Sequence, residues 1–195
     1  MKKLISVALI LAMTLALPSC NNTDYVNDNV TPEFFFPPVG FKSEMNEEEL
    51  KKMLDNHFSV TPEEFMTETE TSKFLNLLYD TGKLFKENNI EISVKFINSK
   101  NTGLSYLVMI NDANFEQILD VYEEIKSTFV EKYGSSYSEK EKWEEPTNIN
   151  ALKPILEAIK DGDYTKRTLW SVRENFDYDY VSVHLSHDMV YIAYA

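Results

Sequence analysis

Apolar residues recur along this chain with a helical period in some stretches and strict alternation in others. Leu50, Met53, Leu54 and His57 share one helical face. Asn46 followed by Glu49 makes a capping box, with Met45 and Leu50 as its hydrophobic staple, which predicts a helix over residues 46–57. The acidic, Thr-rich stretch from Thr61 to Thr71, opened by Pro62, reads as a loop or a short helical turn. Phe74, Leu75, Leu78 and Phe85 then predict a second helix over 72–87, which Gly82 weakens by about 1 kcal/mol relative to alanine.

The period changes at Ile90. Ile92, Val94 and Phe96 alternate with Glu91, Ser93 and Lys95, and a turn over 98–103 leads to a second strand, Leu104 to Ile110. Phe115, Ile118, Leu119, Tyr122, Ile125, Phe129, Val130 and Tyr133 form the longest apolar stripe, a helix started by Asp112 or Asn114 and ended by Gly134. Residues 135–148 read as a polar connection containing Trp143. Leu152, Ile155, Leu156 and Ile159 mark a short helix with Pro154 in its first turn and Gly162 as its stop. Three alternating runs close the chain, Thr168 to Phe176, Tyr180 to Leu185 and Met189 to Tyr194, separated by turns at 177–179 and 186–188. The sum is an α+β two-layer domain: one antiparallel sheet, from the hairpin at 90–110 and the meander at 168–194, with helices on one face.

The N-terminus is of another kind. Lys2 and Lys3 precede an uncharged, mostly apolar run from Leu4 to Leu17, shorter than the ~20 residues that span a bilayer core but suited to a signal-peptide core. The run ends Leu17-Pro18-Ser19-Cys20, which resembles the lipobox of bacterial lipoproteins. The resemblance implies cleavage before Cys20, acylation of its thiol and of the new amine, and a lipid-anchored place in the Gram-negative envelope, at the outer membrane. More than one acyl chain is what stable anchoring takes. Asn- and Asp-rich residues 21–32 read as a spacer. The division expected is therefore a signal peptide over 1–19, an acylated cysteine and tether over 20–40, and a single domain over 41–195.

Together with the lipobox, the helix ending Lys132-Tyr133-Gly134, Trp143 shortly after it, and the closing Val190-Tyr191-Ile192-Ala193-Tyr194 resemble a loose class of small, uncharacterised Bacteroidota-type lipoproteins. This likeness spans roughly residues 1–20 and 110–195 and implies location and compactness, with no activity attached.

Charge sharpens the picture. The 195 residues include 19 Lys+Arg and 32 Asp+Glu, a formal charge of −13. Removal of residues 1–19 takes away Lys2 and Lys3 and no acid, so the mature chain carries −15. An anionic lipid surface repels such a body, which leaves attachment to the lipid. The same balance argues against nucleic acid as a partner, because phosphate neutralisation needs clustered Lys and Arg. A single Cys excludes an internal disulfide framework.

Candidate chemistry is sparse. Asp80-Thr81-Gly82 matches the aspartic-protease triplet, but Lys83 follows it and its flanks read as helix. His184 and His187 stand three apart, which on a strand directs them to opposite faces, and no third metal ligand is in view. Asp161-Gly162-Asp163 opens like a calcium loop, then has Lys166 and Val172 where glycine and an acid are required. The acidic clusters have no diagnostic spacing, so a hydrolase reading cannot name its carboxylates. No cofactor motif is present. There remain 11 Tyr, 12 Phe and 2 Trp. Each aromatic group has two readings. Phe34-Phe35-Phe36 lies back on the domain as an edge strand or meets a partner protein of the envelope. Trp170, which shares strand parity with Val172 and Phe176 and so reads as core, with Tyr178, Tyr180, Tyr191 and Tyr194 either packs inward or forms an aromatic platform toward a glycan or peptide. The function expected is that of a non-enzymatic, lipid-anchored binding or accessory domain.

Overall fold

A computed structural model describes residues 29–58, 61–69, 73–97, 100–135, 137–143, 154–172 and 178–195. Residues 1–28, on which the expected signal peptide, Cys20 and the first part of the expected spacer fall, lie outside the described residues. Eight strands form one sheet in the order β1-β2-β3-β4-β8-β7-β6-β5, with every pairing antiparallel. The strands are β1 (Glu63–Glu68), β2 (Lys73–Phe85), β3 (Asn88–Ile97), β4 (Lys100–Met109), β5 (Ser138–Trp143), β6 (Tyr164–Ser171), β7 (Tyr180–Ser186) and β8 (Met189–Tyr194). The helices are α1 (Glu47–Phe58), α2 (Ile118–Tyr133) and α3 (Ile155–Lys160). This is the α+β two-layer arrangement that the periodicities predict, with the hairpin and the meander joined where β4 meets β8. Gly103 permits that junction, because a Cβ there would stand 2.9 Å from the Tyr194 carbonyl oxygen.

Alternation decides which side chains enter the core. Leu77 and Tyr79, Ile90 to Phe96, Leu104 to Val108, Thr168 and Trp170, Val181 to Leu185, and Val190 to Tyr194 send alternate residues to one face, where they are buried. Over that face α2 lays Ile118, Val121, Tyr122, Ile125 and Phe129, and α1 lays Leu50, Leu54 and Phe58. The capping box of α1 closes as predicted: the Glu49 N–H donates to Asn46 Oδ1 at 3.0 Å, and the Asn46 N–H donates to the Glu49 carboxylate at 3.4 Å. His57 is exposed, and Phe58 takes the buried place instead. A 3-10 turn, Asp112–Gln117, precedes α2 in place of a side-chain cap, and Gly134 ends the helix at φ +87°.

Three predicted elements are corrected. Within the expected helix of 72–87, Lys73–Phe85 is a strand, β2, because Leu75, Leu77 and Tyr79 alternate. Its apolar neighbours Phe74 and Leu78 fall on the opposite face and imitate a helical stripe. A bulge between Asp80 and Leu84 resets the register and returns Phe85 to the core. The stretch after Pro62 contains β1, and the connection after Gly134 contains β5. Both are edge strands exposed along their whole length, so neither shows the apolar alternation by which a strand is read.

The fourth correction concerns where the domain begins. It begins before residue 41: Asn29 bridges to Leu84, and the Val30 N–H donates to the Leu84 carbonyl at 2.9 Å. Pro32–Phe35 form a 3-10 turn that drives Phe35 into the core, edge-on to Phe85 and Tyr106. Phe34 rests against Phe58, and Phe36 against Phe129 under the ammonium of Lys132. Two tyrosine hydroxyls fix the segment: Tyr194 donates to the Phe35 carbonyl at 2.7 Å, and Tyr106 to the Phe36 carbonyl at 2.9 Å. The apolar surface assigned to a partner is thus used inside the domain.

Candidate functional site

Strand parity divides the aromatic platform in two. Trp170 and Tyr194 are 1% exposed and belong to the core face, so neither is available to a ligand. The Trp170 indole N–H donates to the Gly134 carbonyl at 3.0 Å, and its ring meets Phe129 and Tyr137. Tyr178 is half-buried, packed on Tyr194 with its hydroxyl 3.2 Å from that of Tyr133. Tyr180 and Tyr191 have the opposite parity and stand on the face that no described helix covers.

On that face the central strands carry a cleft of about 360 Å³ lined by Arg167, Leu169, Tyr180, Ser182, His184, Tyr191, Ala193 and Ala195. The register explains its shape. Ala193 pairs with Ser182, and Ser182 with Leu169, so a row low in side-chain bulk forms the floor. The next row is taller: Tyr191 pairs with His184, and His184 with Arg167. Tyr180 rises on the other side, 45% exposed. Tyr191 is held in place, its hydroxyl 2.8 Å from Ser105 Oγ, with the His184 ring edge-on at 6.1 Å.

The flanking charges are sorted by the same alternation. In β5, Glu139 and Glu141 point toward the helices, where Glu139 pairs with Lys126 of α2 and both glutamates pair with Lys166. Burial opposes the charge on Lys126 and Lys166, yet their hydrogen bonds and ion pairs with Glu139 and Glu123 outweigh it and hold both above the ordinary lysine value. Glu139, also opposed by burial, is held below the usual carboxylate range by the two lysines. Tyr122 and Thr168 complete this inner network through hydroxyls 2.6 Å apart. Lys140 goes to the open face and stands in register with Arg167. Neither Lys140 nor Arg167 has an ion-pair partner among the described residues.

His184 is the titratable group inside the cleft. Its burial, reinforced by the adjacent Arg167, lowers its pKa from 6.5 to about 4, so the ring is neutral at pH 7. The unfolded chain therefore takes up this proton before the folded one does. Stability is expected to fall as the pH is lowered from about 6.5 to about 4, with no further contribution from His184 below that window. Imidazole resonances followed by NMR should titrate near pH 4 for His184. A midpoint near 6.5 would contradict the geometry.

The remaining candidates do not gather. Asp80-Thr81-Gly82 lies on the β2 bulge, with the Thr81 hydroxyl donating to the Ile90 carbonyl and the Gly82 N–H donating to Asp80, a local turn with Asp80 exposed. His187 occupies the β7–β8 turn at φ +54° and is exposed. Among the described residues no three His, Cys, Asp or Glu side chains are grouped around one point. Cys20 and Asp177 lie outside the described residues. Compared with known protein families, with curated proteins and with solved structures, the chain matches none.

The residues missed at the level of sequence are Lys140, Arg167, Ser182 and Ala193. Arg167 is one of two arginines in an acidic chain, which was a usable signal. Its juxtaposition with Lys140 depends on the pairing of β5 with β6, which alternation alone does not specify.

Proposed function

We propose that this chain is a lipid-anchored binding domain of the cell envelope, at the outer membrane, and that the cleft on its uncovered sheet face holds a glycan or a peptide. The observation that carries the reading is the cleft itself: a low floor of Ser182 and Ala193 between two raised tyrosines, on the face that no described helix covers. Small-molecule sites have this form, apolar and aromatic walls with a few polar groups that orient the ligand. Among the described residues the lining contains no Asp or Glu side chain, whereas glycoside hydrolysis in most families uses two carboxylates. Binding is therefore favoured over hydrolysis. A peptide of another envelope protein would use the same cleft, since Phe34, Phe35 and Phe36 are engaged in the domain.

The anchor rests on Cys20 at the end of the signal-like run. Asn29 is already bridged to Leu84, so at most about nine residues separate the acylated cysteine from the domain, a reach of no more than roughly 30 Å. The domain then works close to its membrane.

Two variants test the proposal in the full chain. Cys20→Ala is expected to remove the acyl mass and release the protein from the membrane fraction; unchanged mass and retention would overturn the anchor. Ala193→Trp fills the cleft from its floor and is expected to abolish binding on mixed glycan and peptide arrays while the circular dichroism spectrum is preserved. Undiminished binding by this folded variant would remove the cleft from the function.

A further inference from the structure

Two cations beside the cleft, unpaired among the described residues, narrow the ligand. Lys140 and Arg167 are direct cross-strand partners on one face. Like charges in that position destabilise a sheet, and the protein has acids in excess with which to relieve them. Instead the acids of β5 are directed inward to Lys126 and Lys166, while the cations are left outward, Arg167 in the lining of the cleft and Lys140 next to it across the β5–β6 pairing. An unrelieved cationic pair, on a face that continues through His184 to Tyr191, complements an anion. The tyrosines add a second requirement. Tyr180 and Tyr191 offer ring surfaces, and the floor between them offers the Ser182 hydroxyl. A charged planar group held by arginine, attached to a hydroxylated ring that lies along an aromatic surface, satisfies both.

We infer that the cleft recognises a carboxylate-bearing sugar of an acidic glycan, with Arg167 and Lys140 on the carboxylate and Tyr180 and Tyr191 along the ring. This rests on the reading of the cleft as a ligand site. Arg167 takes the carboxylate in a bidentate grip, and Lys140 supplies the second positive charge. The affinity therefore weakens as ionic strength rises.

The test is calorimetric titration of the full chain with galacturonate, glucuronate and sialate oligosaccharides, with methyl-esterified oligogalacturonate as the uncharged counterpart and inorganic phosphate as a bare anion. Binding to at least one acidic sugar is expected, at least tenfold tighter than to the ester. Arg167→Gln should cost tenfold or more, and Tyr180→Ala a smaller but measurable factor. Equal affinity for acid and ester, an unchanged affinity in Arg167→Gln, competition by phosphate at the same concentration as the sugar, or binding to none of the acidic sugars would each overturn the inference. A neutral glycan that binds and is lost in Ala193→Trp would overturn it too, while leaving the cleft as a ligand site.

Discussion

Phe35→Ala is expected to destabilise the domain by about 3–5 kcal/mol, the cost of truncating a buried aromatic side chain. Phe35 is 0% exposed and makes edge-on contacts with Phe34, Phe85 and Tyr106, at centroid distances of 5.9, 5.3 and 5.8 Å. Such ring pairs contribute roughly 0.5–1.5 kcal/mol beyond the area they bury. The loss corresponds to roughly 6–20 °C in Tm for a domain of this size. Urea denaturation followed by tryptophan fluorescence measures it, because Trp170 lies in the same core cluster. Val39, fully exposed a few residues later, is the control, and its replacement by alanine should stay within about 0.5 kcal/mol. If Phe35→Ala proved as silent as the control, the segment before residue 41 would be a spacer after all.

That experiment bears on why the two readings of this segment are not separable in the sequence. Three aromatics before two prolines carry no period, and their burial depends on Tyr106 and Tyr194, whose hydroxyls reach them from distant strands. Local pattern served where burial is one-sided: β3 alternates cleanly, and α2 shows its stripe. It failed in two opposite situations. In β2 both faces carry apolar residues, which imitates a helix, and in β1 and β5 neither face is buried, which imitates a loop. The candidate site suffered from the same cause. A strand's parity gives each residue a side but does not say which side the helices take. The parity Trp170 shares with Val172 marks it as core, and it is buried, but the pattern of the closing strands does not say that Tyr194 lies on the covered face and Tyr180 and Tyr191 on the open one. The cationic pair was out of reach altogether, since it depends on pairing an edge strand that the apolar pattern does not reveal.

The separation of the aromatics yields the second large effect. Trp170→Ala is expected to cost about 3–5 kcal/mol, because it empties a fully enclosed site bounded by Phe129, Tyr133 and Tyr137. Trp170→Phe retains much of the ring packing and loses mainly the hydrogen bond to the Gly134 carbonyl, so it should fall well short of the alanine variant. Tyr180→Ala removes a ring that is 45% exposed and should leave stability within about 0.5 kcal/mol. Ligand titrations at a temperature where every variant is folded complete the comparison. Trp170→Phe should bind as the parent does, and Tyr180→Ala should bind less well at undiminished stability. The reverse outcome, with Trp170→Phe impaired in binding and Tyr180→Ala impaired in folding, would mean that the helix-covered face and not the open one meets the ligand. The geometry argues against it: Trp170 is 1% exposed, with Phe129 and Tyr133 of α2 and Tyr137 against its ring, so a ligand could reach it only by displacing packed aromatic side chains.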